Sequence, residues 1–486
     1  MGIERELQAI FNGAYENDER LSKVPLKNGV SSESGEGSSS ETSEEMAEVY
    51  EERVLNQSNE DESDASFLNL LRRRLEENLQ PQTKLERRSS SPACIFRLPP
   101  SLVAINDSAR KPEIVSIGPF YRGEEHLLAF EEHKCLYLHN FLRTRRDLFG
   151  KDPSFYLDRM RSLEKRTREC YSDTIIMSSD DFVQMMLLDG CFVIELLVRF
   201  LPGGFSNDLN DPIFTRPWLI PTLLKDLIKL ENQLPAFVIE SLYGDDISLL
   251  ALKVFNETTF SKICQMNISM ANRQKANHLL EFLYFSLVPS EKVINIQGLE
   301  GYRASNHSMP SVTELRSARV KVKPRNGYSF LYIKFRNRVL QIPTITINDF
   351  TATLLINSVA LEQCRDFHYK YFTDYVSFMN GLIKQPRDVA FLCSAGIISR
   401  FSLDDLYVAN LFNNLGKNVA FNVGSCYLFK QFREVEAYYN GYWATMMRTY
   451  FRSPWSFISV FSAFIIIVFT MIQTIVAVLS YQKQFG

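Results

Sequence analysis

Apolar side chains recur every three to four positions over most of the chain, and this spacing predicts a mainly helical protein. In the first half, the predicted helices span residues 124–148, 153–171, 180–200, 222–242 with a break at Pro235, and 277–287. In the second half, they span residues 349–367, 371–384, 387–398, 403–415 and 435–451. Ser311 and Glu314 have the spacing of a capping box, which predicts one more short helix.

Residues 328–347 depart from the helical spacing. Apolar and polar residues alternate there on both sides of Arg336-Asn337-Arg338. This alternation predicts a β-hairpin or a small sheet. The expected fold class is therefore mainly α with a small β element.

The C-terminal region predicts a single transmembrane helix. Residues 457–479 are 23 mainly apolar residues without a charge, and a helix of that length is about 34 Å long, enough for a hydrocarbon core of ~30 Å. We place the span at 453–481, with Trp455 and Leu479 at the anchor ends and 482–486 as a short tail. The lipid bilayer is thus the first predicted partner.

An acidic, Ser-rich leader precedes the helical region. Residues 31–66 hold twelve acidic residues and one basic residue, so they cannot bury enough apolar surface to fold. We predict a disordered leader over residues 1–92, with one amphipathic helix near 67–79. The helical body then covers 93–452.

Composition and motifs give no indication of nucleic-acid, metal or cofactor binding. The chain outside 31–66 has a net charge of +8, but it shows no long Lys/Arg stripe interleaved with aromatic residues, so nucleic acid is not a predicted partner. The eight cysteines form no Cys-x-x-Cys pair. Glu131, Glu132, His133, Cys135 and His139 do not share one helical face, so we predict no metal site, no cofactor and no catalytic residue.

Two acidic residues lie in the very apolar segment 180–200. A buried acid can serve as a general acid or base. Glu195 and Arg199, however, have the i, i+4 spacing of a structural ion pair. Asp189 and Glu195 lie about 120° apart around the helix and therefore do not form a carboxylate pair.

A second polar group, Glu231, Asn232 and Gln233, comes just before Pro235. Because proline has no N–H to donate to the carbonyl of Glu231, we expect nearby side-chain amides to satisfy open backbone groups. Asn357 and Glu362 are expected to have similar structural roles. In the alternative interpretation the protein is a membrane-anchored enzyme, and Asp189, Glu231 and Glu362 would then line one pocket.

The orientation in the membrane has two interpretations. Arg448 and Arg452 before the span outweigh Lys483 after it, and the N-terminus has no signal-peptide pattern, which favours a cytosolic body. A lumenal or cell-surface body stays open. In that case the sequons would be glycosylated. They begin at Asn106, Asn256, Asn267 and Asn306.

Several motifs, in order, resemble a plant family catalogued as domain of unknown function 247. They include SIGPFYRG (116–123), LLDGCFVIELL (187–197), LENQLPAFVI (230–239), PSVTELRSARVKVK (310–323) and the C-terminal span. The resemblance implies a plant-specific helical protein with a C-terminal anchor and no established enzymatic activity. This chain departs from the family pattern at Tyr121, where His is frequent, and at Arg319, where Gly is common.

Certain grass members of that family are regarded as male determinants of gametophytic self-incompatibility, and they have a similar long acidic leader. The resemblance therefore predicts a membrane-anchored recognition or signalling protein that acts through an unknown protein partner. A pollen self-incompatibility role is the narrower hypothesis, and variable segments such as 288–327 or the leader would then carry specificity.

Overall fold

The computed structural model of the chain describes residues 93–200, 211–244, 247–258, 266, 275–289, 309–326, 329–400, 404–419, 421, 426–450 and 454–485. The leader with its amphipathic helix at 67–79 lies outside the described residues, as do Asn267, Asn306 and most of 288–308.

The mainly helical class is confirmed. The helices of the described residues are, in chain order, α1 Pro100–Val103, α2 Glu125–Phe149, α3 Pro153–Glu169, α4 Ser179–Arg199, α5 Leu219–Asp226, α6 Ala236–Tyr243, α7 Ile247–Thr258, α8 Leu279–Leu287, α9 Val312–Ser317, α10 Asp349–Cys364, α11 Tyr371–Leu382, α12 Pro386–Ser394, α13 Asp405–Lys417, α14 Phe429–Tyr439, α15 Tyr442–Tyr450 and α16 Pro454–Phe485.

In the part of the chain that the structure describes, five short strands form two small sheets. The strands are β1 Lys321–Arg325, β2 Lys334–Arg336, β3 Val339–Pro343, β4 Ile345–Ile347 and β5 Ile398–Arg400. In the first sheet β3 lies between β1 and β2, parallel to β1 and antiparallel to β2. The β2–β3 pair is the hairpin that the alternating pattern predicted. In the second sheet β4 pairs with β5 in parallel.

Local capping explains where several helices begin. Ser178 caps α4 by accepting the N–H of Asp181, and Asn348 forms a capping box with Thr351 at the start of α10. The capping box predicted at Ser311 and Glu314 is present at α9, where each side chain accepts the other residue's backbone N–H.

Two central helices form the core. All thirteen residues from 350 to 362 of α10 are buried, and α4 buries most of its circumference. A helix that is apolar almost all round has to be covered on every side. Helices α2, α3 and α6 pack on α4, and α11 packs on both α10 and α13. The long apolar segment 180–200 is therefore a central core helix.

The predicted helix over 222–242 is wrong in its middle. The structure has two eight-residue helices, α5 and α6, separated by residues 227–235. The break predicted at Pro235 is present but wider than expected, and Pro235 is the residue that precedes α6, with an extended ψ of 136°. The periodicity continued through this gap because Leu227, Ile228, Leu230 and Leu234 are all buried in an irregular segment.

Other helix boundaries also differ. The single helix expected over 435–451 is two helices, α14 and α15, which break at Asn440-Gly441. Helix α12 ends at Ser394 because the chain then enters β5, where Ile398 pairs with Ile345. Helix α7 was not predicted.

Helix α16 has the composition of a membrane span. Its residues Ile458–Gln482 are long and apolar enough to cross a membrane, and none of this window is buried against the rest of the described protein. At 1.5 Å per residue these 25 residues span about 38 Å. One such helix supports a membrane anchor by length and composition.

Among the described residues, three non-glycine residues have positive φ angles. Asn337 (φ 51°) and Arg338 (φ 64°) form the two-residue turn between β2 and β3, and Arg319 (φ 64°) lies between α9 and β1. The left-handed region costs an L-residue about 1–2 kcal/mol. A glycine, which the family resemblance implies at the position of Arg319, would not carry this cost.

We expect the free energy of unfolding of Arg319→Gly to exceed that of Arg319→Ala by roughly 1 kcal/mol, because only glycine relieves the left-handed strain. The glycine variant should therefore unfold at a higher denaturant concentration. Both variants lose the same charge, so the comparison isolates the backbone. Chemical unfolding of the full chain in detergent provides the measurement, and equal stability of the two variants would contradict the prediction.

Candidate functional site

An irregular segment, Glu113–Gly118, passes between the helices without a strand partner. Its first backbone N–H groups bind the carboxylate of Asp226, the last residue of α5. The N–H groups of Glu113, Ile114 and Val115 lie 2.9, 2.9 and 3.1 Å from Asp226 oxygens. Asp226 is fully buried, and Lys229, equally buried, donates to it at 2.8 Å.

Asn232 pairs with the middle of this segment as a neighbouring strand would. Its side-chain oxygen accepts the N–H of Ile117 at 2.7 Å, and its amide nitrogen donates to the carbonyl of Val115 at 3.0 Å. The same nitrogen donates to the carbonyl of Asp226. Asn232 thus satisfies one donor and two acceptors that the irregular backbone leaves open.

Asp189 of α4 holds the end of the segment. One carboxylate oxygen accepts the N–H of Gly118 at 2.9 Å, and the other accepts from Lys134 at 2.8 Å. Lys134 is fully buried and also donates to the carbonyl of Ser116 and contacts Glu131 at 2.6 Å. Burial raises the pKa of Asp189, whereas the charge of Lys134 acts in the opposite direction.

Gly118 is required by this close packing. Its φ is +77°, and a Cβ at this position would lie 2.6 Å from the carbonyl oxygen of Gln233 and 2.9 Å from the hydroxyl of Tyr171. That hydroxyl donates to the same carbonyl at 3.0 Å. Any side chain here would separate the segment from residues 231–233.

Glu231 accepts three donors. The N–H of Leu98 lies at 2.7 Å, the hydroxyl of Tyr121 at 2.6 Å and a guanidinium nitrogen of Arg97 at 2.8 Å. Burial raises the pKa of the Tyr121 hydroxyl, and the carboxylate of Glu231 acts in the same direction. Tyr121 stands where relatives often have histidine, and it is a hydrogen-bond donor to a buried carboxylate.

The position of Pro235 suggested that a nearby side-chain amide would donate to the carbonyl of Glu231. Gln233 donates to other carbonyls instead. Its amide nitrogen donates to the carbonyls of Leu227 and Lys229 at 2.7 and 2.9 Å, and its oxygen accepts the N–H of Leu280. The side chain therefore closes the turn that follows α5 and links it to α8.

Asn357 connects α10 to this network. Its oxygen accepts the N–H of Leu230 at 2.8 Å, and its nitrogen donates to the carbonyls of Ala109 and Thr353 at 2.9 and 2.8 Å. An asparagine in a helix interior is thus fully used by three separate parts of the chain.

The ion pair predicted from spacing on α4 is present but long. Arg199 Nε lies 3.8 Å from Glu195, and a closer contact of 2.6 Å joins Arg199 Nη1 to Asp211. Asp211 also accepts from the hydroxyl of Tyr137 and from the N–H of Ile213. The sequence analysis missed Asp211 because nothing in its spacing relates it to α4.

Glu362 caps the start of α11 from the end of α10. It accepts the N–H groups of Phe372 and Thr373 at 2.8 and 2.7 Å and the hydroxyl of Tyr284 at 2.6 Å. Burial raises the pKa of Glu362 to about 7. Burial likewise raises the pKa of nearby Asp374, in the first turn of α11, to about 7.

Each of the three carboxylates of the enzyme alternative is buried with hydrogen-bond donors of its own. Asp189 binds Lys134 and Gly118, Glu231 binds donors from residues 97–121, and Glu362 caps α11. In the part of the chain that the structure describes, no group of three or more His, Cys, Asp or Glu residues could hold a metal ion. The predicted polar residues thus serve as internal supports.

A surface cavity of about 770 Å³ lies instead between β2, the β2–β3 turn and α14. Apolar side chains such as Ile333 and Tyr438 form part of its wall, and Arg336, Arg338 and Lys430 add positive charge. The sequence analysis gave no functional role to any residue of this cavity. The alternation that predicted the hairpin was the available signal.

The fold and site define a class: a helical protein built around a buried polar network, with one apolar helix near its C-terminal end. The chain belongs to the plant protein family of unknown function catalogued as domain of unknown function 247, whose family model matches residues 95–469. Seven of the polar residues described above lie in motifs that carried the resemblance. They are Ser116, Tyr121, Asp189, Glu195, Glu231, Asn232 and Gln233.

Two curated relatives come from Arabidopsis thaliana. One is named a UPF0481 protein and is 32% identical over 435 residues, which covers 83% of this chain and 90% of the relative. The other is named a putative UPF0481 protein and is 22% identical over 481 residues, with 78% and 89% covered. No solved structure matches the chain.

Removing one partner of the Lys134–Asp189 pair should be strongly destabilising. We expect Lys134→Met and Asp189→Asn each to lower the free energy of unfolding by about 3–5 kcal/mol, because the remaining charge loses its fully buried ion-pair partner. The double variant should lose less than the sum of the two, since neither charge is then left unpaired.

Chemical unfolding of the full chain in detergent measures this cycle. The exposed pair Arg161–Asp180, at 3.0 Å, is the matched control, and breaking it should cost at most about 1 kcal/mol. Additive losses at Lys134 and Asp189 would show that the two charges are not coupled.

Stability should depend on pH through Glu362. Its folded-state pKa is raised, so its contribution is fully present below the unfolded value near 4.5 and is lost as pH rises through about 7. We expect the thermal midpoint of Glu362→Gln to fall less than that of the parent between pH 5 and pH 8. His278, whose pKa burial lowers to about 3, is common to both proteins.

The matched control for this experiment is Glu132→Gln at an exposed position of α2. Its midpoint should follow the parent at every pH. If Glu362→Gln also follows the parent, the buried carboxyl does not titrate in this range.

Proposed function

We propose that this protein is a membrane-anchored recognition protein that binds a protein partner through the surface of its helical body. The observation that carries the proposal is the use of its buried polar groups: Asp189, Glu231 and Glu362 all bind donors within the body. Chemistry directed at a small substrate would need some of them to face a pocket. The family to which the chain belongs has no known function, so the family relationship does not assign an enzymatic activity.

The anchor in this proposal is α16. Its apolar residues are exposed over the whole window Ile458–Gln482, which in water would be an unusually large apolar surface. Insertion in a bilayer covers that surface and holds the body beside one leaflet. The type of membrane is left to experiment.

We propose a cytosolic body. Two sequons lie in the described residues, and neither is a fully exposed loop site: Asn106 is half-buried with its oxygen bound to Ser108, and Asn256 is half-buried within α7. Arg448, six residues before the start of α16, adds to the positive charge on the body's side of the span.

The narrower proposal is that the protein acts as a male determinant of gametophytic self-incompatibility. It rests on the similarity of the acidic leader to that of certain grass members. Exchange of the leader or of residues 288–327 between two alleles should transfer partner choice in pollination assays, and unchanged choice would refute it.

The anchor and its orientation are tested together. We expect the full chain to stay with membranes after alkaline carbonate extraction, and Ile466→Arg combined with Val468→Arg to release it into the soluble fraction, because charges in the hydrocarbon core are costly. Replacing Arg143 and Arg159 on exposed helix surfaces by Gln should leave extraction unchanged.

Glycosidase treatment of the protein from its own cells should not change its mobility. A shift would place the body on the lumenal or extracellular side while leaving the anchor intact. Release of the chain without substitutions by carbonate would instead contradict the proposed membrane anchor.

A further inference from the structure

The outer face of the β1–β3–β2 sheet is basic. Residues that pair across a sheet share a face, and successive rows alternate between faces. The row with Leu340 and Phe335 is buried against the body. The rows on either side carry exposed cations. The four side chains of this outer basic face are Lys321, Lys323, Lys334 and Arg336.

Two further arginines lie at one end of the sheet. Arg319 comes just before β1 and Arg338 just before β3, and because these strands run parallel, both lie at the same end. Both side chains are exposed, and both residues have a backbone φ of 64°, in the left-handed region. Strained backbone of this kind is concentrated at functional sites.

Among the residues that the structure describes, no acidic group pairs with these cations. Residues 315–348 contain eight Lys or Arg and no Asp or Glu. Across the part of the chain that the structure describes, none of the six basic side chains from Arg319 to Arg338 named above forms an ion pair. A face with this much unpaired positive charge is suited to an anionic surface.

The chain connects the basic face to the membrane helix. Helix α14 packs beside β2 with the rings of Phe335 and Tyr438 6.3 Å apart, and α15 follows α14 directly. Arg338 lies 5.7 Å from the ring of Trp443 on α15. The four steps from Tyr450 to Pro454 can span at most about 14 Å, so α15 lies near the start of α16.

Helix α15 has the character of an interfacial element. Tyr442 is 86% exposed and Trp443 is 45% exposed. Aromatic residues with a polar edge are enriched where protein meets the headgroup region of a bilayer. Arg448 on the same helix adds another cation.

We propose that the basic face and α15 together bind the anionic lipid headgroups of the leaflet beside α16. The proposal rests on the membrane anchor of the proposed function and adds a lipid class to it. Anchoring keeps the leaflet within reach, and the attraction acts over a Debye length of ~8 Å. The cavity beside β2 gives one headgroup a place to enter: its wall holds Arg336 and Arg338, together with Lys430, which lies 4.0 Å from Glu434.

The test uses the full chain in nanodiscs of phosphatidylcholine alone or mixed with phosphatidylglycerol. An amine-reactive reagent labels lysines, and mass spectrometry measures each labelling rate. We expect Lys321, Lys323 and Lys334 to react several-fold more slowly in the anionic discs, and high salt to restore their rates. Lys165 and Lys253, exposed elsewhere on the body, should react equally in both discs.

Arg336→Gln combined with Arg338→Gln should weaken the protection of the three lysines. Arg143→Gln combined with Arg159→Gln, which removes the same charge from exposed helix surfaces, should not. This comparison distinguishes specific binding of anionic lipid at the basic face from nonspecific electrostatic attraction between the body and the anionic disc.

Equal labelling of the three lysines in both discs would overturn the proposal. Slowing that appears only on addition of soluble polyglutamate, in either disc, would overturn it in favour of an acidic polypeptide. A chain that fails to copurify with discs would refute the anchor itself, whereas a chain that copurifies but shows no lipid dependence refutes this inference alone.

Discussion

The fold depends on how one stretch of backbone satisfies its hydrogen bonds without a neighbouring strand. Glu113–Gly118 crosses the interior, where an unpaired N–H costs about as much free energy as a lost hydrogen bond. Asp226, Asn232 and Asp189 supply the missing acceptors from three different places in the chain. These polar residues are therefore as essential to the core as the leucines around them.

Buried charges follow from that solution. A carboxylate that accepts backbone N–H groups in the interior needs a cation, and Lys134 and Lys229 are buried beside Asp189 and Asp226. Tyr121 fits the same logic, because its hydroxyl is one more donor to a buried acid, Glu231. Asp189 and Glu231, which the sequence analysis considered as possible catalytic acids, form hydrogen bonds that hold the irregular core together in this structure.

In the proposed function, recognition falls to the outer surface of the body and to the side that faces the membrane. Several acids of the body, such as Asp189 and Glu231, are buried, while one small sheet presents cations that have no acidic partner in the described structure. A short amphipathic helix, α15, joins that sheet to α16. The two proposals share this geometry: a partner protein meets the free surface of the body, and lipid meets the side nearest the anchor.

The sequence by itself determined the helical class, the hairpin, the capping box at Ser311 and the apolar C-terminal helix, since each depends on neighbours a few residues apart. Only the tertiary structure decided that residues 227–235 are irregular, that Asp189 meets Lys134, and that Asp211 meets Arg199. Those outcomes depend on contacts between distant segments. The basic face is the clearest case, because its lysines lie on strands that come together only when β3 inserts between them.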